Sequence, residues 1–171
     1  MSTVNTAPPP TDVRRTVAID FLFLDRSTCE RCQGTGANLD AALTAVEGVL
    51  QATDADAEVR RIHVRSAEQA RELRFVSSPT IRVNGRDIAP DVRESECGPD
   101  GCGCAPGTSC RVWSHGGRDH AEAPVALIVD AVLSELYAGS PRADAPAREH
   151  ALPDNLARVF AAGASTGGCC G

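Results

Sequence analysis

An almost unbroken apolar run at residues 17–24 constrains the fold of this chain most strongly. A run of this length is typical of a strand buried on both faces of a parallel sheet. After it, Leu39, Leu43, Val46 and Leu50 recur at helical spacing, which predicts an amphipathic helix to about residue 52. A buried strand followed by a helix indicates an α/β fold.

The chain continues this alternation of strands and helices. We predict a strand at residues 59–64, a short helix at 66–73 with a capping-box start, and two antiparallel strands joined by Asn84-Gly85. Pro124 lies at the predicted first position of a last amphipathic helix that ends near Gly139. The predicted order is therefore β-α-β-α-β-β-α.

Three segments fall outside this pattern. Residues 1–15 are polar and proline-rich, which predicts a disordered leader before a domain at 16–139. Residues 94–122 form a Cys-rich insertion before the last helix, with a small hairpin predicted around Gly116-Gly117. Residues 140–171 predict a flexible tail, in which Leu156, Val159 and Phe160 allow one short helical turn.

Composition narrows the classes of function. The net charge is -6 and the arginines are scattered, which argues against nucleic acid as a partner. The N-terminus has no apolar signal region and no run is long enough to span a membrane, so we expect a cytoplasmic protein without a membrane partner. In that location, eight cysteines are more often catalytic or metal-binding than structural disulfides.

The motif Cys29-Glu30-Arg31-Cys32 follows the first strand and opens the first helix. Amide groups and the positive end of the dipole at a helix start favour a thiolate. The positive charge of Arg31 also favours it, whereas the negative charge of Glu30 opposes it. We therefore expect Cys29 to be the nucleophile and Cys32 to be the thiol that resolves a mixed disulfide. The alternative is that both thiols are inert or bind a structural metal.

Six further cysteines form two sets. The insertion contributes four sulfur ligands, the number that a tetrahedral zinc site requires, although their spacing is not that of a standard knuckle. Zinc, a soft metal or metalloid, two local disulfides and unrelated thiols all stay open for this set. His115 and His120 are near enough in sequence to replace a ligand, although surface roles suit them better. The insertion set is Cys97, Cys102, Cys104 and Cys110, and the tail set is Cys169 and Cys170.

The order of elements, taken with Cys29-x-x-Cys32, Ser78-Pro79-Thr80 and Asn84-Gly85, resembles the thioredoxin and glutaredoxin superfamily over residues 16–90 and 123–138. Within it, the chain resembles an uncharacterised bacterial thioredoxin-like family known as a domain of unknown function. That second resemblance rests on three segments: residues 27–32, residues 76–80 and residues 110–113. The superfamily resemblance implies a cis Pro79 that faces the two cysteines, so that the backbone before it can pair with a substrate chain.

The motif differs from that of common thioredoxins and glutaredoxins in two ways. Their Gly-Pro or Pro-Tyr pair is absent between Cys29 and Cys32, and no tryptophan precedes the motif. General reductase activity is therefore not implied. Over residues 167–171 only, the tail resembles the C-terminal cysteine pairs of mercuric reductases and the vicinal cysteines of arsenite metallochaperones.

Two functions follow as expectations. The first is a thioredoxin-like thiol–disulfide oxidoreductase, with Cys29, Cys32 and Pro79 as its site, no required cofactor, and a protein or small-molecule thiol or disulfide as partner. Metal(loid) stress, such as arsenic or mercury resistance, is its expected setting. The alternative is a metallochaperone or other binding protein whose insertion and tail thiolates hold arsenite, mercury, copper or zinc.

Overall fold

The computed structural model describes residues 14–96, 108–138 and 150–165, and a four-stranded sheet forms the centre of this part of the chain. Its strand order is β2-β1-β3-β4, in which β1 is parallel to β2 and antiparallel to β3, and β3 is antiparallel to β4. The strands are β1 (Arg15–Phe23), β2 (Ala55–His63), β3 (Thr80–Val83) and β4 (Arg86–Asp87).

Helices lie against both faces of this sheet. Successive side chains of a strand point to opposite faces, so Ile19 and Phe21 of β1 enter one apolar cluster and Leu22 enters the other. The first cluster contains the buried apolar side chains of α1 and α3, and the second contains those of α2 and α4. The helices are α1 (Glu30–Ala52), α2 (Ala67–Glu72), α3 (Val125–Tyr137) and α4 (Asp154–Ser165).

The predicted mixed α/β class is confirmed, and the elements follow the predicted order as far as β4. The hairpin at Asn84-Gly85 is present, with φ of 50° and 81° at the two turn residues, as a type I′ turn requires. Ser66 caps α2 as predicted, since its hydroxyl accepts the amide of Gln69 at 3.1 Å, while the Gln69 side chain accepts the amide of Arg65, one residue before the cap, at 2.8 Å. No helix among the described residues combines the length and the apolar character that a membrane span needs.

The insertion contains a second sheet of three antiparallel strands in the order β5-β6-β7. These are β5 (Arg93–Glu96), β6 (Ser109–His115) and β7 (Arg118–His120). The predicted hairpin at Gly116-Gly117 is the connection between β6 and β7, and both glycines have positive φ. The sequence contains no signal for β5, and residues 97–107 lie outside the described residues.

Helix α1 begins at Glu30, directly after its N-cap residue Cys29, as the position of the motif predicts. Other boundaries differ from their predictions. Strand β2 begins at Ala55 rather than at residue 59, because all nine of its residues pair with β1. Strand β1 begins at Arg15, which the prediction places in the leader, because β2 is long enough to pair with it at Ala55. Pro124 is the N-cap residue of α3 rather than its first helical residue.

The prediction of a flexible tail with one helical turn is wrong for residues 154–165, which form the 12-residue helix α4. Burial is the physical reason, because Leu156 packs among Leu22, Phe75 and Val64 in the second apolar cluster. The predicted leader at 1–13, residues 139–149 and the tail beyond 165 lie outside the described residues.

Candidate thiol site

The turn between β1 and α1 is held together by one carboxylate. Asp25 accepts hydrogen bonds from the Ser27 amide at 2.6 Å, the Ser27 hydroxyl at 2.7 Å and the Thr28 hydroxyl at 2.7 Å. Burial by itself would raise the pKa of Asp25, but the hydrogen bonds from Thr28 and Ser27 outweigh it and lower the pKa below 3.8. An ionised Asp25 therefore fixes the path of the chain into the motif.

The first helical turn supports the same segment from the other side. The Gln33 side-chain amide donates to the carbonyls of Arg26 at 3.0 Å and Ser27 at 3.1 Å. Arg26 in turn lies over the rings of Phe21 and Phe23, at 5.8 and 5.6 Å from the centroids. The turn before the cysteines is thus fastened both to α1 and to β1.

Cys29 is the N-cap residue of α1, with extended backbone angles of -85° and 104°. Its Sγ accepts a hydrogen bond from the Cys32 amide at 3.4 Å, and its carbonyl accepts the Gln33 amide at 3.0 Å. The sulfur therefore takes the place that a Ser or Asp oxygen takes at other helix starts. Unpaired amides and the helix dipole stabilise negative charge at that position.

Cys32 lies one turn further into the helix, and both sulfur-bearing residues are buried, with 2% of Cys29 and 1% of Cys32 exposed. The hydrogen bond to Cys29, followed by burial and by the charge of Cys29, raises the pKa of the Cys32 thiol. The two cysteines therefore have unequal surroundings: Cys29 Sγ accepts an amide hydrogen bond at the start of the helix, whereas the raised pKa of Cys32 keeps the proton on that thiol.

The loop that contains Pro79 lies beside Cys32. The Ser78–Pro79 peptide bond is cis, as the resemblance implies, and the Ser78 hydroxyl lies 3.5 Å from the Cys32 sulfur. The same hydroxyl accepts the amide of Leu24 at 3.1 Å, and Thr80 closes the loop by donating to the Ser77 carbonyl at 2.6 Å. The end of β1, the start of α1 and this loop thus converge on one thiol.

The two residues between the cysteines have different surroundings. Glu30 is exposed, whereas Arg31 is half-buried and reaches the insertion. Its Nη1 donates to the Ser95 hydroxyl at 2.9 Å and to the Cys110 carbonyl at 3.4 Å. Arg31 therefore joins the motif to both β5 and β6.

Arg111 is a site residue that sequence reasoning missed. It is fully buried, and its guanidinium pairs with both oxygens of Asp87 at 2.8 and 2.9 Å and with the Thr80 hydroxyl at 2.8 Å. It also donates to the Ala89 carbonyl, and it lies 4.6 Å from the ring centroid of Trp113. This arginine fastens β6 to the loop and to β4, and a single arginine in a polar segment carries no sequence signal for that role.

A second missed group connects α4 to the same loop. Glu94 of β5 accepts hydrogen bonds from the Ser77 hydroxyl at 2.6 Å and from the Asn155 side chain. Asn155 also donates to the Val76 carbonyl at 3.2 Å. The segment before Pro79 is therefore held by β5 and by a helix that the sequence analysis assigns to a tail.

Cys110 is the one described member of the insertion set, and it is buried in the apolar cluster that also contains Cys29 and Cys32. These three described cysteines are thiols rather than disulfides. Five metal-ligand candidates lie outside the described residues: Cys97, Cys102, Cys104, Cys169 and Cys170. Their role stays a prediction.

A metal site has no support within the described ranges 14–96, 108–138 and 150–165, where no three His, Cys, Asp or Glu side chains are grouped to hold an ion. The two histidines considered as replacement ligands, His115 and His120, are half-exposed residues of β6 and β7. A nitrogen of the His120 ring lies 3.4 Å from the His115 carbonyl.

Comparison with known proteins gives one match. No curated protein and no solved structure matches the chain. One family model matches residues 17–132, a range that contains the motif, the Pro79 loop, the second sheet and most of α3. The chain therefore belongs to the family described as Domain of unknown function (DUF2703).

Proposed function

We propose that this protein is a thiol–disulfide oxidoreductase with a thioredoxin-like fold. The observation that carries the proposal is the inequality of two adjacent thiols. Cys29 Sγ accepts an amide hydrogen bond at a helix start, while Cys32 keeps its proton beside Ser78. A thiolate at the Cys29 position next to a protonated thiol at Cys32 is the arrangement that disulfide exchange requires.

The arrangement of strands supports the proposed fold. A parallel β1-β2 pair, an antiparallel β3-β4 hairpin beside β1, and helices α1 and α3 in one apolar cluster are expected of a thioredoxin-like domain. The cis Ser78–Pro79 bond beside Cys32 agrees with the same resemblance. The second sheet and α4 are additions to that plan.

The reaction uses both thiols in turn. The Cys29 thiolate attacks one sulfur of a substrate disulfide, whose S–S bond breaks and releases the other sulfur as a thiolate that takes up a proton. The Cys32 thiol then loses its proton and attacks Cys29 Sγ, which releases the second substrate thiol. Two electrons pass to the substrate, and the protein is left with a Cys29–Cys32 disulfide that an external thiol reduces.

The buried position of the pair limits its partners. Because only 2% of Cys29 is exposed, an outside disulfide has to displace neighbouring residues before its sulfur meets Cys29. We therefore propose a specific thiol or disulfide partner rather than general reductase activity. No cofactor is needed for this exchange, and the expected reducing, cytoplasmic setting is part of the proposal.

The test is reduction of a model disulfide protein such as insulin with dithiothreitol as the regenerating dithiol. Wild-type protein should raise the rate above that of dithiothreitol alone, and Cys29→Ser should return it to that background. Ala42→Ser is the matched control, because it also places a hydroxyl on the buried face of α1 but keeps both thiols. Equal activity of Cys29→Ser and wild type would refute the proposal.

A further inference from the structure

Strand β6 of the insertion pairs with the Pro79 loop beside Cys32. The Arg111 amide donates to the Ser78 carbonyl at 2.9 Å, and the hydroxyl of the same serine lies 3.5 Å from Cys32 Sγ. The chain's own backbone thus already pairs with the Pro79 loop. The residue before Arg111 is a cysteine.

Cys110 is held against the motif from two sides. Arg31, which lies between Cys29 and Cys32, donates to the Cys110 carbonyl at 3.4 Å and to Ser95 at 2.9 Å. Ser95 is the residue that faces Cys110 across the β5–β6 pair. The motif, the loop and the second sheet therefore position the same backbone.

The side chains of β6 divide between two directions. Neighbouring residues of a strand point to opposite sides, so the Cys110 thiol points away from the side on which Arg111 meets Asp87. Cys110 is 2% exposed and belongs to the apolar cluster of Cys29 and Cys32. The thiol is thus inside the protein with the redox pair and not on the outer surface of the hairpin.

We propose that Cys110 is a third redox thiol, a built-in disulfide partner of Cys29 that β6 presents to the buried pair. This inference rests on the proposed function. After a substrate has oxidised the pair, the Cys110 sulfur attacks Cys29 Sγ, so that the Cys29–Cys32 bond breaks and a Cys29–Cys110 bond forms. The proton of Cys110 moves to Cys32, and the number of electrons in the protein is unchanged.

Such an exchange carries the disulfide from a buried pair to a strand of the insertion. Because Cys29 and Cys110 are each 2% exposed, the transferred disulfide stays inside the fold, and the external thiol that reduces it has to reach it there.

The test traps the internal bond in Cys32→Ser, which lacks the competing thiol. The full-length variant is equilibrated with about 0.1 mM each of reduced and oxidised glutathione, quenched with acid, alkylated and digested with trypsin. Reduced glutathione is the thiol that competes with Cys110, and an internal thiol has an effective concentration of about 1 mM or more, so the Cys29–Cys110 disulfide should exceed the glutathione adduct of Cys29 about tenfold. Glutathione adds to Cys29 first, and Cys110 then displaces it as the free thiol.

Tryptic peptides identify the linked cysteines by mass, because Cys29, Cys32 and Cys110 lie on different peptides. Cys29 lies on the peptide of residues 27–31, Cys32 on that of residues 32–60 and Cys110 on that of residues 94–111. Fragment spectra distinguish Cys110 from the three other cysteines of its peptide. The linked pair should persist in Cys32→Ser/Cys104→Ser and vanish in Cys32→Ser/Cys110→Ser. The wild-type protein offers a second measurement that needs no substitution. At equilibrium with glutathione, its tryptic peptides should include both the Cys29–Cys32 and the Cys29–Cys110 disulfides.

Each outcome has one meaning. A Cys29 that carries only glutathione in Cys32→Ser, while the wild type forms Cys29–Cys32, overturns the inference and leaves the proposed function standing. A Cys29 that forms no disulfide in either protein overturns both. A link from Cys29 to another cysteine of residues 94–111 also overturns the inference.

Discussion

Replacing Arg111 by Met should destabilise the protein far more than replacing an exposed arginine of the same sheet. Arg111 is 0% exposed and makes two bonds to Asp87, whose side chain is 17% exposed. Removing one partner of a buried ion pair leaves the other charge without compensation and costs about 3–5 kcal/mol. Because Asp87 keeps some contact with water, we expect about 3 kcal/mol, the lower end of that range.

Arg93→Met is the matched control. Arg93 of β5 pairs with Asp119 of β7 at 2.7 Å, but the two side chains are 58% and 49% exposed. An exposed pair of this kind contributes little to stability, because water screens the two charges. The contrast between two arginines of one small sheet isolates the effect of burial from the loss of a charge.

The assay is urea unfolding followed by far-UV circular dichroism and by the fluorescence of Trp113, the single tryptophan of the chain. Because Arg111 lies 4.6 Å from the Trp113 ring, the two probes have to agree before a free energy is compared. An Arg111→Met protein within about 1 kcal/mol of Arg93→Met would refute the argument that this ion pair holds β6 in place. A double-mutant cycle with Asp87→Asn measures the coupling itself.

The remaining predictions concern the turn, the capping box and α4. Asp25→Asn should lower the free energy of unfolding at pH 7, and the difference from wild type should shrink below about pH 4. The pKa of Asp25 is lower in the folded protein than in the unfolded chain, so the ionised carboxylate stabilises the fold above the unfolded pKa. This stabilisation is lost as the pH falls through the folded pKa. Urea titrations of both proteins at pH 7 and pH 3 check it, and an unchanged difference contradicts it. Ser66→Ala should lower the free energy of unfolding by about 1 kcal/mol, because the Gln69 amide loses its capping hydroxyl. Ser66→Thr keeps a hydroxyl at this position and should keep most of that free energy. Leu156→Ala should cost about 2–5 kcal/mol in the same assay, because it opens a cavity under α4, and a loss below about 1 kcal/mol would mean that α4 is not anchored.

Periodic features of the sequence predicted most of the main sheet and its helices. The apolar run of β1, the helical spacing in α1 and α3 and the Asn84-Gly85 turn are local patterns, and local patterns determine these elements. The N-cap at Ser66 belongs to the same class, because Ser66 and Gln69 lie three residues apart. The boundaries were less accurate, since the pairing of β1 with β2 extends both strands beyond their predicted starts, to Arg15 and Ala55.

Long-range contacts account for the features that the sequence did not predict. Arg111 meets Asp87 from 24 residues away, so an arginine that looks like a surface residue in the chain is fully buried in the fold. Helix α4 follows an alanine- and proline-rich stretch, and that composition outweighed the helical spacing of Leu156, Val159 and Phe160 in the prediction. Asp154 in the first turn was a second available signal.

The candidate site was predicted in part. Cys29, Cys32 and Pro79 were selected from motifs and a resemblance, and the structure brings Cys32 and the Pro79 loop together through Ser78. Cys110 was grouped with the insertion cysteines because it is near them in sequence, whereas the fold places it in the cluster of the first pair. The pairing of β6 with β5 and with the Ser78 carbonyl, and the hydrogen bond from Arg31, bring it there.

The central claim is that Cys29 and Cys32 form a reversible redox pair, and one equilibrium measurement tests it most directly. Wild-type protein is equilibrated in buffers with stepped ratios of reduced to oxidised glutathione, quenched with acid and digested with trypsin, which cuts between Arg31 and Cys32. We predict a disulfide-linked pair of residues 27–31 and 32–60 that appears and disappears reversibly with the ratio and is absent from Cys29→Ser. Peptides that stay unlinked at every ratio would contradict the account.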